Sequence, residues 1–227
     1  MTCRNAFLVL LVSLIPSAAV AQSSHWGVRA SLTPKWKVPT QLAQLFDGTV
    51  DITGSEFTVG IVRGRDLGGD WGVSYARKTL KDGSRIEKFE PECFSNGCFE
   101  SGTSYRTRGV TLSGVKVHKY VPVITIKECV QIGMNFAGGV GQFQGDLDTL
   151  ERDVEISGDH RTARQTETIT TEPASELIPV SVLPLADLEA AVAVSVAPGL
   201  KLRMEGGLSF PGYRVFNVTA VYFFGAR

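Results

Sequence analysis

LEAAVAVSVAPGLKLRMEGGLSFPGYRVFNVTAVYFF, residues 188–224, is the stretch that decides the fold of this chain. Leu188, Ala190, Val192, Val194 and Val196 alternate with Glu189, Ala191, Ala193 and Ser195. Past the break at Ala197 to Gly199, Leu200, Leu202, Met204 and Leu208 alternate with Lys201, Arg203, Glu205 and Ser209. A Pro211-Gly212 hairpin follows. Phe216, Val218, Ala220, Tyr222 and Phe224 then alternate with Asn217 and Thr219, joined on that second face by the apolar Val221 and Phe223. Successive side chains of a strand point to opposite faces, so a period of two predicts strands with one apolar face and one small or polar face.

The same period recurs toward the amino end. Val130, Ile132, Met134 and Phe136 carry it, as do Trp71, Val73 and Tyr75, then Phe57, Val59 and Ile61, and finally Trp26, Val28, Ala30 and Leu32. An eighth strand, near Arg106 to Tyr120, changes phase: Val110 and Leu112 fall on one face, Val115 and Val117 on the other. A one-residue bulge near Ser113-Gly114 would reconcile them. Short connections are expected at Asp66 to Asp70, Pro122 to Cys129 and Ala197 to Gly199. Longer ones are expected at Lys37 to Thr53, Lys81 to Tyr105 and Gly145 to about Leu177. Alternating short turns and long loops predict an all-β, antiparallel up-and-down transmembrane barrel of eight strands.

The polar face supports that choice over a soluble barrel. It combines small residues such as Gly60, Gly72 and Ala193 with Arg29, Glu56, Lys78, Glu189, Lys201, Arg203 and Glu205. These charges are expected to pair inside the barrel, because a buried mixed-sign network is tolerated where a lone charge is not. Aromatic residues fall at strand ends: Trp26, Trp71, Tyr120, Tyr222 and Phe224 at one end, Trp36, Phe57, Phe143, Phe210 and Tyr213 at the other. Two aromatic girdles at the membrane interfaces are the expected consequence.

The first 21 residues read separately. Arg4, the apolar run Ala6 to Ile15, Pro16 and then Ala19-Val20-Ala21 form the pattern of a secretory signal. Cleavage is expected between Ala21 and Gln22, leaving 22–227 as one barrel domain in the outer membrane and removing Cys3. Export permits disulfides. The Asn96-Gly97 turn signal brings Cys93 and Cys98 together, while Cys129, at a short turn, stays free.

The terminal segment RVFNVTAVYFFGAR, residues 214–227, resembles the last strand of outer-membrane barrels. The mature chain as a whole resembles small eight-stranded outer-membrane proteins of the OmpA/OmpX/OmpW type. That resemblance implies insertion by the barrel assembly machinery through the C-terminal strand, with membrane lipid as the surrounding partner. Gly225-Ala226-Arg227 depart from the family's habit of ending on the aromatic itself.

Other chemistry finds little footing. Charge is balanced, 23 basic against 23 acidic residues, which gives no footprint for nucleic acid. The Gly138-to-Gly141 stretch lacks the following helix of a nucleotide fingerprint, Cys93 and Cys98 lack a second ligand pair for zinc, and Asp146 and Asp148 lack calcium-loop spacing. No cofactor or metal is expected. His118 is placed near the periplasmic interface, and Ser113, five residues away, falls on the opposite face unless the bulge intervenes. A catalytic triad is not supported, and a non-enzymatic protein is expected. The acidic, Thr-rich loop 145–177 is expected to be mobile, to extend the strands in part as a hairpin, and to form the contact surface for any extracellular ligand. The leading expectation is a monomeric barrel with a structural or surface-interaction role. A narrow, porin-like pathway for small or hydrophobic solutes comes second, and a lipid-modifying enzyme third.

Overall fold

The computed structural model describes residues 24–38, 49–65, 68–94, 96–126, 129–156, 163–174 and 182–225. The expected signal segment 1–21 and its cleavage point lie outside the described residues. Eleven strands form one antiparallel sheet: β1 (His25–Lys37), β2 (Thr49–Asp51), β3 (Thr53–Gly64), β4 (Asp70–Leu80), β5 (Arg85–Phe94), β6 (Gly97–Ile126), β7 (Val130–Ile156), β8 (Ala163–Pro173), β9 (Leu183–Ala197), β10 (Leu200–Phe210) and β11 (Gly212–Phe223). Eight of them, β1, β3, β4, β6, β7, β9, β10 and β11, close into a ring, with β11 returning onto β1. Closure satisfies the backbone of both outermost strands, so the ring itself leaves no open edge.

Strand β4 shows how sequence makes the wall. Asp70, Gly72, Ser74, Ala76, Lys78 and Leu80 are buried, while Trp71, Val73, Tyr75, Arg77 and Thr79 between them are exposed. The small and charged residues face into the ring, and the large apolar ones face out. The same inversion holds on β1, where Arg29, Ser31 and Thr33 are buried and Val28 and Leu32 are exposed. At one end of the ring the connections are short, at 65–69, 127–129 and 198–199. At the other end β6 and β7 run on past the ring. There β5 pairs with β6, β8 pairs with β7, and β2 pairs with β5.

Three expectations about the strands are corrected. No bulge lies at Ser113-Gly114, because β6 pairs with β4 without interruption from Thr111 to Tyr120. The irregularity falls between Arg108 and Thr111, where Gly109 takes φ +62°. Glycine has no Cβ to oppose that left-handed conformation, so the bulge settles there. Val110 and Leu112 therefore share the inner face with Lys116, His118 and Tyr120, and Val115 and Val117 face out.

One expected loop is shorter than its sequence suggested. Residues 85–94 and 97–105 form the β5–β6 hairpin, where a loop was expected from Lys81 to Tyr105, whereas the hairpin expected within 145–177 is present as β7–β8, paired from Asp146↔Pro173 to Ile156↔Ala163. Alternating Thr and acidic residues support backbone pairing although they bury little, since a ladder needs hydrogen bonds rather than an apolar face. The turn expected from Pro122 begins only after Ile126. Pro122 itself is accommodated by a register shift between it and Ile124, as expected of a residue with no N–H to donate.

Candidate functional site

Inside the ring, ionisable side chains from different strands form two clusters. The first lies toward the loop end. Arg214 on β11 reaches Glu56 on β3 at 2.5 Å, Glu189 on β9 at 2.7 Å and Asp187 on β9 at 3.2 Å. Lys116 on β6 reaches Glu56 at 2.6 Å and Asp187 at 2.7 Å. Lys78 on β4 completes the set, 3.7 Å from Glu56, and donates to the Ser209 hydroxyl at 3.0 Å. Ser209 in turn donates to Asp187 at 2.7 Å, and Asn135 donates to Glu189 at 2.9 Å. Three carboxylates thus meet three cations, all of them buried. Buried charges survive only in such paired, hydrogen-bonded company.

The second cluster lies toward the short-turn end. Arg203 bridges Asp70 at 3.3 Å and Glu205 at 3.7 Å, and Arg29 lies 3.6 Å from Glu205. Asn217 and Thr219 each donate to Glu205 at 2.7 Å. Lys201 donates to the carbonyls of Arg65 and Gly68, which ties the β3–β4 turn across that end. The Tyr120 ring sits beneath Arg203, 4.6 Å from its guanidinium carbon.

Above the first cluster is an apolar cup of about 490 Å³, lined among others by Trp36, Leu80, Val110, Leu112, Phe143 and Leu147. Lys78 of the charged cluster contributes to its lining. Lys78 Nζ lies 4.9 Å from the centre of the Trp36 ring, and Trp36 Nε1 donates to the Ser209 carbonyl at 3.2 Å.

The seven charges assigned to the interior, Arg29, Glu56, Lys78, Glu189, Lys201, Arg203 and Glu205, are all buried within the ring. Asp70, Lys116, Asp187 and Arg214 join them and were missed. Asp187 shares the phase of Glu189, and Lys116 sits between the outward Val115 and Val117, so alternation alone would have found both. Arg214 is different. It is buried although Phe216, in the same phase, is exposed, and the pairing of β10 with β11 shifts register between them.

Of the expected girdle, Trp26, Trp71, Tyr222 and Phe224 are exposed near the short-turn end. Tyr120 is not among them: it is buried, because it shares the inner face of β6 with Lys116 and His118. Trp36, expected in the opposite girdle, is likewise turned inward to the cup. His118 is inside the wall rather than at an interface, with Nδ1 3.4 Å from the Ser74 hydroxyl. Its neighbour is therefore Ser74 and not Ser113, and Nε2 has no partner among the described residues. Cys93 and Cys98 face each other across the β5–β6 hairpin and are bonded, and Cys129 is free and exposed.

Among the described residues no group of His, Cys, Asp or Glu is arranged to hold a metal ion. No helix among them is long and apolar enough to cross a membrane, which leaves crossing by strands as a separate matter. No family model matches this chain, and no curated protein matches it.

Proposed function

We propose that residues 22–227, freed of the signal segment, form an integral outer-membrane β-barrel that acts without catalysis, as a structural or surface-interaction protein. The observation that carries this reading is the inversion of polarity across the wall. Arg29, Glu56, Lys116, Arg203 and Arg214 are buried inside, while Val59, Ile61, Val117, Leu202 and Met204 are exposed outside. Soluble monomers rarely expose a continuous apolar surface of this kind, whereas hydrocarbon requires it. The ring strands are long enough: β4 has 11 residues, and about 9–11 residues of a tilted strand cross a bilayer.

In this reading the barrel belongs with the small OmpA/OmpX/OmpW type, is monomeric, and enters the membrane through recognition of β11 by the assembly machinery. The β5–β6 and β7–β8 hairpins stand outside the cell, and an extracellular ligand meets residues 145–177. The protein is expected to fractionate with the outer membrane, lacking residues 1–21. On a mild detergent gel the folded form should migrate apart from the boiled form. A soluble periplasmic protein with no such shift would refute the proposal.

The apolar cup favours a second reading, a narrow route for small apolar solutes. The lattice beneath it disfavours passage, since a neutral solute would have to displace Lys78, Asp187 and Arg214 from their partners. The barrel is therefore expected to stay closed in planar bilayers. Steady single-channel currents from the pure protein would favour the pathway instead.

A further inference from the structure

We propose that the apolar cup binds one uncharged, hydrocarbon-bodied small molecule of about ten to eighteen carbon atoms and holds it against Trp36. The site is a product of ring closure and does not depend on what surrounds the outer wall. Four ring strands supply its inner side: Trp36 from β1, Leu80 from β4, Val110 and Leu112 from β6, and Phe143 from β7. The far side comes from beyond the ring. Strand β2, three residues long, pairs with β5 so that Val50 stands opposite Ile86, and Ile86 stands opposite Tyr105 on β6. Those three residues line the cup as well, and Val50 is buried. A core that fills itself leaves few voids larger than a water molecule, whereas about 490 Å³ stands open between these walls. An apolar cavity of about 150 Å³ holds one benzene, so the cup has room for about three such rings.

Charge complementarity fixes the chemistry of the occupant. Among the described residues of the lining, Lys78 is the only charged one, and its ammonium is already engaged. Nζ donates to the Ser209 hydroxyl at 3.0 Å and to the Phe210 carbonyl at 3.2 Å, and it lies 3.7 Å from Glu56. An ammonium carries three N–H donors, and three acceptors face this one. The other polar groups are engaged in the same way. Trp36 Nε1 donates to the Ser209 carbonyl, the Ser84 hydroxyl to the Thr53 carbonyl at 3.3 Å, and the Thr107 hydroxyl to the Lys81 carbonyl at 2.9 Å. The remaining polar side chain of the lining, Tyr105, is exposed.

A carboxylate or phosphate placed in this cup would lose its water and gain no counter-charge, which burial does not tolerate. A neutral hydrocarbon has no such cost. It leaves water favourably and gains close contacts with Trp36, Leu112 and Phe143. Lys78 therefore braces the indole from behind, 4.9 Å from the ring centre, rather than receiving a ligand's charge.

Tryptophan fluorescence tests this, because the chain has three tryptophans and Trp26→Phe/Trp71→Phe leaves Trp36 as the only indole. The full mature chain with those changes is folded into phosphatidylcholine vesicles and titrated with 1-bromonaphthalene, whose bromine quenches an indole only near contact. Quenching should saturate at one molecule per chain. 4-Bromonaphthalene-1-sulfonate, the same skeleton with one charge, should need at least about ten-fold more free aqueous probe for the same quenching. Filling the cup with Val110→Phe/Leu147→Phe should abolish the saturable quenching, and Leu147→Met should retain it. Quenching that never saturates, equal potency of the sulfonate, or saturable quenching retained in the filled variant would each overturn the proposal. The two probes are compared on the unfilled cup, so that comparison decides the matter even if the filled variant does not fold. A chain that folds without entering the vesicles refutes the outer-membrane reading alone, and the same titration then runs in buffer.

Discussion

Replacing Arg214 with alanine is expected to be the most damaging single change inside the ring, lowering stability by about 3–5 kcal/mol. Arg214 is the only described side chain that bonds Glu56, Asp187 and Glu189 together. Without it three buried carboxylates keep two lysines, Lys116 and Lys78, and neither lysine is paired with Glu189. The penalty comes from leaving acids buried without a counter-charge, which exceeds what the pair contributes when intact. Adding Glu189→Gln to Arg214→Ala should therefore recover part of the loss, because one orphaned charge goes with it. A double-mutant cycle reads that coupling directly. The exposed pairs of Arg152 with Glu100 and Glu167 are the contrast, and Arg152→Ala should cost less than about 1 kcal/mol. Denaturant midpoints of the folded band in vesicles supply the measurement. A loss under about 1 kcal/mol for Arg214→Ala would mean that the lattice is hydrated and slack.

Arg214 also marks where the sequence stops being legible. The wall was readable because alternation is a local property: whichever way β4 is oriented, Lys78, Ala76 and Ser74 must share a face. The choice of which face turns inward followed from residue size and charge, and it places Arg29, Glu56 and Arg203 inside together. Arg214 and Trp36 are hidden by a change of phase across an irregularity, whereas Asp187, Lys116 and Tyr120 lie in the plain alternation of their strands. The bulge at Gly109 sets the inner face of β6 from Val110 onward, and a bulge placed five residues late sends Val110 and Leu112 outward with Val115 and Val117, although both are buried. The register shift before Phe216 likewise turns Arg214 inward against the alternation around it. Bulges are fixed by which partner strand must be met at which height, and that information is distributed over several strands. The apolar cup was invisible for a related reason. Trp36, Leu80, Val110 and Phe143 come from four strands, and only ring closure brings them together.

The same closure makes the outer face testable with one charge. Val59→Arg is expected to destabilise the inserted protein by about 2–4 kcal/mol, the cost of a cation near the middle of a bilayer on a barrel wall. Val59 is exposed near the middle of β3, opposite Ala30 on β1 and Tyr75 on β4, with Phe57 and Ile61 on either side along the same face. No inward group is disturbed, because Thr58 and Gly60 carry the other face of the strand. The magnitude thus reports the surroundings of the side chain rather than its packing. In water the same substitution at a half-exposed valine would change stability by no more than about 0.5 kcal/mol. Depth supplies an internal control. Ile61→Arg, one pleat closer to the short-turn end and next to Arg63, should cost less, because the penalty falls toward about 0–1 kcal/mol at the interface. Unfolding in vesicles would show both values on one scale. If Val59→Arg and Ile61→Arg both leave stability unchanged, the outer face meets water and the wall does not stand in a membrane. If the two differ in the expected order, the gradient itself places the bilayer along β3.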